Sequence, residues 1–401
     1  MRRPTIRSLT IVYIGSFHLF LFLSRVVTWL LGCIFILFDP RPKESRRELF
    51  DREKELKILE EFVEKGSPII LCLGVRRIGK TSLLKTFLNE SGYPYIFINA
   101  RKLSEYGYSI AGLYRVFSEA IAQTNVFNRI IDYLKGLRGI NITVSGVGFG
   151  IEFNWRRREP SITSILERLD HYAKDRETYF LVTIDEAQEL RFLKGFNKID
   201  FREIMAYSYD NLRNIKFILS GSEIGLLYDF LEFNNYSSPL YGRVRDELII
   251  ERFSKEESIR FLEKGFEEAG MKPSKEVIEK AVDLLDGIPG WLSFYGYKAV
   301  QMKNFDIIDK VLEEAIQTAL DELNKIIKAG KYYRHILRAI AMGYKNWSLI
   351  KRSVETWTGS HVNNKILYNN LARLINLTIL SKENDKYDFI DNIYREAAKR
   401  I

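Results

Sequence analysis

The sequence predicts an α/β protein: a parallel sheet flanked by helices, then an all-helical segment, then a winged-helix domain. Three observations carry that prediction. Two apolar runs of strand length, residues 69–73 and 179–184, each end in a chemically loaded turn, the first at Gly74 and the second at Asp185 and Glu186. Such runs suit central strands covered on both faces. From Ser254 the apolar spacing is helical, and the last seventy residues read as three helices followed by a hairpin.

The loop after the first run reads Gly74-Val75-Arg76-Arg77-Ile78-Gly79-Lys80-Thr81 and opens a helical pattern at Ser82, Leu83 and Leu84. It fits G-x-x-x-x-G-K-[ST], in which each fixed position has a job around a triphosphate. Gly74 and Gly79 let successive backbone N–H groups converge on phosphate oxygens, reinforced by the positive end of the next helix. Lys80 reaches for the β- and γ-phosphates, and the Thr81 hydroxyl is placed to hold Mg²⁺. Residues 74–82 are therefore the candidate binding set for ATP or ADP. At the second run, Asp185 is the other candidate Mg²⁺ ligand, and Glu186 the candidate to orient and activate water. A glycine turn or an acidic strand end has a bland structural explanation on its own; the two together in one chain argue against it.

A chain of 401 residues is long enough for two or three domains. Cys33 and Cys72 lie far apart inside apolar runs, which suggests neither a disulfide framework nor a zinc site and fits a reducing, cytoplasmic interior. The net charge of +9 is concentrated at the ends. Residues 328–401 hold fourteen Lys/Arg against six Asp/Glu, and residues 1–47 hold eight against two. Basic ends favour anionic partners, nucleic acid or lipid head groups. Residues 9–38 are apolar apart from Ser16, His18, Ser24 and Arg25. One tilted membrane helix of about 20 residues fits there, although Arg25 would cost about 3 kcal/mol near its middle. The other reading is a start assigned upstream of the native one. Membrane contact is expected only under the first.

Further along, residues 95–99 form the next strand, and residues 140–144 and 149–155 alternate around a glycine-rich turn as an inserted hairpin. Residues 216–219 form a strand ending in Ser220 and Ser222, small polar residues suited to sensing a γ-phosphate. Arg243 sits in the Pro/Gly-punctuated loop Ser238-Pro239-Leu240-Tyr241-Gly242-Arg243 and is the candidate to reach the γ-phosphate, in cis or in a neighbouring copy's site, before a last strand over residues 248–251. A capping box begins at Ser254, and the corner Gly287-Ile288-Pro289-Gly290 is either a plain interhelical turn or a rigid corner that presses Pro289 on a nucleotide base. In the third helix of the terminal domain Leu367, Leu371 and Leu374 share the inner face, leaving Lys365, Tyr368, Asn369 and Arg373 outward as candidate contacts to duplex DNA.

From about residue 37 onward the chain resembles the archaeal ATPase family, within the STAND and origin-recognition branch of P-loop ATPases. The resemblance rests on Phe50-Asp51-Arg52-Glu53, on residues 74–81 with their paired arginines, on Ile184-Asp185-Glu186-Ala187-Gln188, on residues 238–243, on residues 287–290 and on the winged helix. It implies an ASCE, AAA+-like P-loop NTPase core with a strand between the P-loop and Walker B strands, and it places Arg52 beside the base. The implied organisation is a hydrophobic leader over residues 1–40, a P-loop ATPase core over 41–252, a helical lid over 253–327 and a winged-helix domain over 328–401. No asparagine ends the strand at residues 216–219, as it does in many AAA+ enzymes, so hydrolysis is expected to be slow. The expectation is an ATP-dependent switch, possible as a homo-oligomer. The alternatives are a DNA- or protein-binding module stabilised by nucleotide, and a membrane-tethered signalling ATPase.

Overall fold

The computed structural model describes residues 37–135, 137, 140–145, 148–153, 161–193 and 200–401. Helix α1 (Glu53–Glu64) precedes β1 (Ile69–Leu73), whose five residues are all buried, and α2 (Lys80–Glu90). β2 (Tyr95–Asn99) leads through a 3₁₀ turn to α3 (Leu103–Tyr106), α4 (Ile110–Ala122) and α5 (Phe127–Leu134). The hairpin β3 (Ile140–Ser145) and β4 (Gly148–Phe153) pairs only with itself, and α6 (Ile162–Lys174) follows. Then come β5 (Phe180–Asp185), α7 (Phe201–Asn211), β6 (Ile215–Gly221), α8 (Ile224–Leu231) and β7 (Asp246–Ile249).

The main sheet is all parallel in the order β2-β5-β6-β1-β7, so every carboxyl end lies along one edge. β6 separates the P-loop strand β1 from the Walker B strand β5. Register aligns Leu73 with Gly221 and Asn99 with Asp185, which brings the ends of four strands level. Crevices at such an edge are where open α/β sheets bind ligands. The last strand begins two residues earlier than expected. Its apolar signal starts at Leu248, but β7 is an edge strand paired only to β1, and polar Asp246 and Glu247 belong to the ladder.

The helical lid is α9 (Lys255–Glu268), α10 (Lys275–Leu285), α11 (Pro289–Met302) and the long α12 (Ile308–Lys328). The Ser254–Glu257 capping box opens α9. The winged helix follows as α13 (Tyr333–Ala341), α14 (Trp347–Thr358), α15 (Asn364–Asn376), β8 (Leu380–Glu383) and β9 (Lys386–Phe389). Two helices escape the sequence pattern. α8 is apolar nearly all round, and α16 (Asn392–Ala398) is too short to show a period. α16 packs Ile393, Tyr394, Ala397 and Ala398 inward and lies along α12.

Lid and winged helix are not separate globules, because one continuous apolar core runs from Phe261 and Leu285 through Ile316 to Ile336, Leu371 and Ile393. Leu37 and Phe38, expected in the leader, belong to that core. Both are buried, and the Phe38 ring sits where a side chain at Gly265 or Gly296 would stand 2.3–2.4 Å from it. The rest of the apolar leader, residues 1–36, lies outside the described residues. Among the described residues no helix is long and apolar enough to cross a membrane.

Candidate active site

β1 delivers Gly74 against Ile250, whose carbonyl would lie 2.9 Å from any Cβ at that position, so only glycine fits. Gly79 has φ +101°, a left-handed conformation that glycine takes without strain. Between them Arg77 also has positive φ, +64°, at the apex of the loop. Val75 and Ile78 complete it, with the Ile78 side chain buried among the apolar residues beneath β1. The loop encloses the Lys80 ammonium, which donates to the carbonyls of Gly74 at 2.7 Å and Val75 at 2.9 Å. Burial lowers the Lys80 pKa from its ordinary value, against the pull of Glu186 and Asp185.

The Thr81 hydroxyl donates to Asp185 Oδ2 at 2.9 Å, and Ser220 donates to the other carboxylate oxygen. Two hard oxygen donors side by side at the amino end of α2 suit Mg²⁺, which takes few protein ligands and keeps several waters. Glu186, at φ +55°, accepts from Arg101 at 2.6 Å, from Gln188 Nε2 at 2.6 Å and from the Ser222 hydroxyl at 2.7 Å. Burial alone would raise the Glu186 pKa, but these donors and Lys80 outweigh it and hold the carboxylate below its usual range.

Lys80, Thr81, Arg101, Glu186 and Ser222 open on one cavity of about 750 Å³. Its polar lining includes Arg76, Arg77, Lys80, Thr81, Ser82, Arg101, Glu186, Ser222 and Glu322. Its apolar lining includes Pro40, Pro42, Phe50, Phe253, Phe261, Phe294, Pro289 and Trp291. Residues 37–43 run along the cavity and are fastened to the P-loop helix, with the Lys43 amide donating to Ser82 Oγ at 3.1 Å.

Of the expected site residues, the structure brings together the P-loop, Asp185, Glu186, Ser222 and Pro289. Arg52 also lines the cavity, but its guanidinium is committed to Glu55 at 2.8 Å, to the Glu251 carbonyl at 2.8 Å and to the Phe253 ring, so it fastens α1 to the strand end. Arg243 requires a correction. It grips Asp210 at the end of α7, donates to the Pro239 carbonyl at 3.1 Å and lies over the Tyr209 ring, so it does not reach this chain's own cavity. Asp210 outcompetes a more distant partner because it closes a bidentate pair. Lys365, Tyr368, Asn369 and Arg373 are all exposed on α15.

Arg101 was not singled out in the sequence, though a basic residue two positions past a strand beside Walker B is a usable signal. Glu322, on α12, was missed because its spacing is that of an ordinary solvated helix position.

Residues 49–294 match an ATPase domain found predominantly in Archaea, more than half of the chain. The chain belongs to this archaeal ATPase family. Residues 327–390 of the ATPase match the C-terminal winged helix-turn-helix domain of MCM proteins. The ATPase is similar to the Walker-type ATPase paby2304 of Pyrococcus abyssi, with 36% identity and a TM-score of 0.78 over 91% of this chain and 100% of that one. Fainter likenesses are Cdc6p from Pyrobaculum aerophilum, at 15% identity and TM-score 0.44 over 91% and 97% of the two chains, and a RuvB variant of Thermotoga maritima, at 15% and 0.43 over 91% and 99%. Likenesses that weak say nothing of function. No curated protein matches the ATPase.

Proposed function

We propose that this ATPase binds ATP with Mg²⁺ in the cavity, hydrolyses it slowly, and uses its nucleotide state to set the affinity of the winged helix for duplex DNA. The observation that carries the reading is the convergence of the P-loop and Glu186 on one cavity, with Asp185 held beside it by the Thr81 hydroxyl at 2.9 Å. Lys80 and the loop amides would hold the phosphates, and Thr81 and Asp185 would hold Mg²⁺, which neutralises charge on the phosphoryl oxygens. Glu186 orients the attacking water, and its three donors account for slow turnover because each lowers its basicity. The exposed set on α15 is the reading surface, with Lys382 of the wing near Tyr368.

The test is calorimetry and phosphate release with the full chain. ATP·Mg²⁺ is expected to bind, and Lys80→Ala to weaken that binding by about 10- to 100-fold, the worth of one charge-assisted contact. Duplex DNA should bind with affinity that falls as salt rises, at a log–log slope of about −2 to −4 for a few phosphate contacts. DNA affinity indifferent to nucleotide would favour a module for which the nucleotide is only structural. No heat on adding ATP would remove the switch reading altogether.

The depressed Glu186 pKa sets a pH expectation. Its folded value lies below the unfolded one, so its ionised form contributes stability that is present above the ordinary 4.5 and lost as pH falls through the lowered value. Turnover should therefore show no acid limb from Glu186 between about pH 5 and pH 8. A limb near neutrality in the pH–rate profile would assign the base to another group.

A further inference from the structure

The apex of the P-loop is joined to the winged helix by a charged knot that nucleotide binding alone does not require. Glu322, on α12, is a fork. One oxygen accepts from Arg77 at 3.2 Å; the other pairs with Arg76 at 3.3 Å and accepts from the Tyr394 hydroxyl of α16. A second connection runs beside it. Arg77 stacks over the Trp291 ring at 4.2 Å, and the Trp291 indole N–H donates to Asp391 Oδ2 at 3.2 Å, while Asp391 caps α16 through the Ile393 amide. The lid corner is locked to the same loop, because Gly290 donates to the Arg77 carbonyl at 2.9 Å and a side chain at 290 would collide with Arg77.

Arg76 and Arg77 both line the cavity alongside Lys80 and Thr81. Arg76 also donates to Glu223 at 3.0 Å, so its tie to Glu322 is the weaker of its two and Arg77 carries more of the fork. A guanidinium cannot serve a carboxylate and a phosphate with the same N–H groups, and a triphosphate offers more negative charge and more acceptors than Glu322 does. Burial works against the Glu322 charge, and Tyr394 with the two arginines is what keeps it ionised. If the arginines turn to a ligand, Glu322 is left partly buried with one neutral donor, a state relieved by letting water in between α12 and α16.

We propose that Glu322 is a positioning residue through which the P-loop and the winged helix compete: phosphate in the cavity draws Arg76 and Arg77 away, and the Tyr394 end of the winged helix loosens. This rests on the nucleotide reading above and adds the route by which occupancy reaches α16. Coupling of this kind is reciprocal, so whatever the ligand does to the latch, the latch does to the ligand.

The test is hydrogen exchange on the full chain with and without ATP·Mg²⁺, beside calorimetric ATP affinity, in the wild type, Glu322→Gln and Tyr394→Phe. In the wild type, amides of α16 and β9 should exchange faster by about fivefold or more on adding ATP, the low end of ordinary coupling. Glu322→Gln should bind ATP more tightly by a similar factor and show fast α16 exchange with little response to ATP. Because Glu322 lines the cavity, loss of its charge alone would also tighten ATP binding but would leave the α16 response to ATP intact, so the lost response is what reports the latch. A merely structural defect would weaken ATP binding instead. Tyr394→Phe should leave ATP affinity close to the wild type, because both arginines keep Glu322, yet speed α16 exchange before nucleotide is added. Unchanged or weaker ATP binding in Glu322→Gln, or an undiminished α16 response in that variant, overturns the proposal while the nucleotide reading stands. Absence of ATP binding in the wild type overturns both.

Discussion

Glu186→Gln is expected to cut ATP turnover by about 10²- to 10⁴-fold, the usual contribution of a positioned acid–base group, while ATP affinity stays within a few-fold of the wild type. The substitution keeps the shape of the side chain and its contacts to Gln188 and Ser222, but removes the charge that Arg101 answers at 2.6 Å. It leaves Lys80, Thr81 and Asp185 in place, so the groups assigned to phosphate and metal are untouched. Single-turnover phosphate release and calorimetry on the same preparation separate the two effects. Turnover at the wild-type level would remove Glu186 from the chemistry. Loss of binding together with turnover would make it part of the phosphate site instead.

Phe38→Ala is expected to cost about 3–5 kcal/mol, the range for deleting a fully buried aromatic ring. Phe38 lies edge-on to Phe266 at 5.0 Å and to Phe261 at 5.7 Å, and Gly265 and Gly296 are bare beneath it. Those two glycines leave no side chain able to close the cavity, which puts the loss toward the upper end. Urea unfolding followed by tryptophan fluorescence measures it, since Trp291 stands in the same core. Because residues 37–43 continue along the cavity, the variant should also bind ATP more weakly. A loss under about 1 kcal/mol would show that the strap is not docked in the lid core.

The elements that carry the site were legible wherever their meaning is local. Gly74 through Thr81 are contiguous, so spacing alone encodes where amides, ammonium and hydroxyl stand, and the apolar run before Asp185 needs only its length and composition to read as a central strand. The inward Leu367, Leu371 and Leu374 follow from helical period, and all three are buried. Legibility failed where a residue's role depends on a distant partner. Arg243 reads as a free cation until Asp210 is seen beside it. Leu37 and Phe38 read as the end of an apolar leader until Gly265 and Gly296 open a socket for the ring. Glu322 reads as an exposed helix charge until Arg77, 245 residues earlier, and Tyr394, 72 residues later, meet it.

The chain order of residue types was enough to specify a P-loop strand and helix, a second acid-tipped strand, an all-helical segment and a winged helix, because each is written in short-range spacing; the lid reading came from the resemblance to the family. The folded arrangement alone established that lid and winged helix share one core, that Arg101 engages Glu186, and that the P-loop arginines are tied to the terminal helix. Hydrophobic periodicity says which face of an element turns inward but not which other face it will meet, and ion pairs form between whichever charges that packing leaves adjacent.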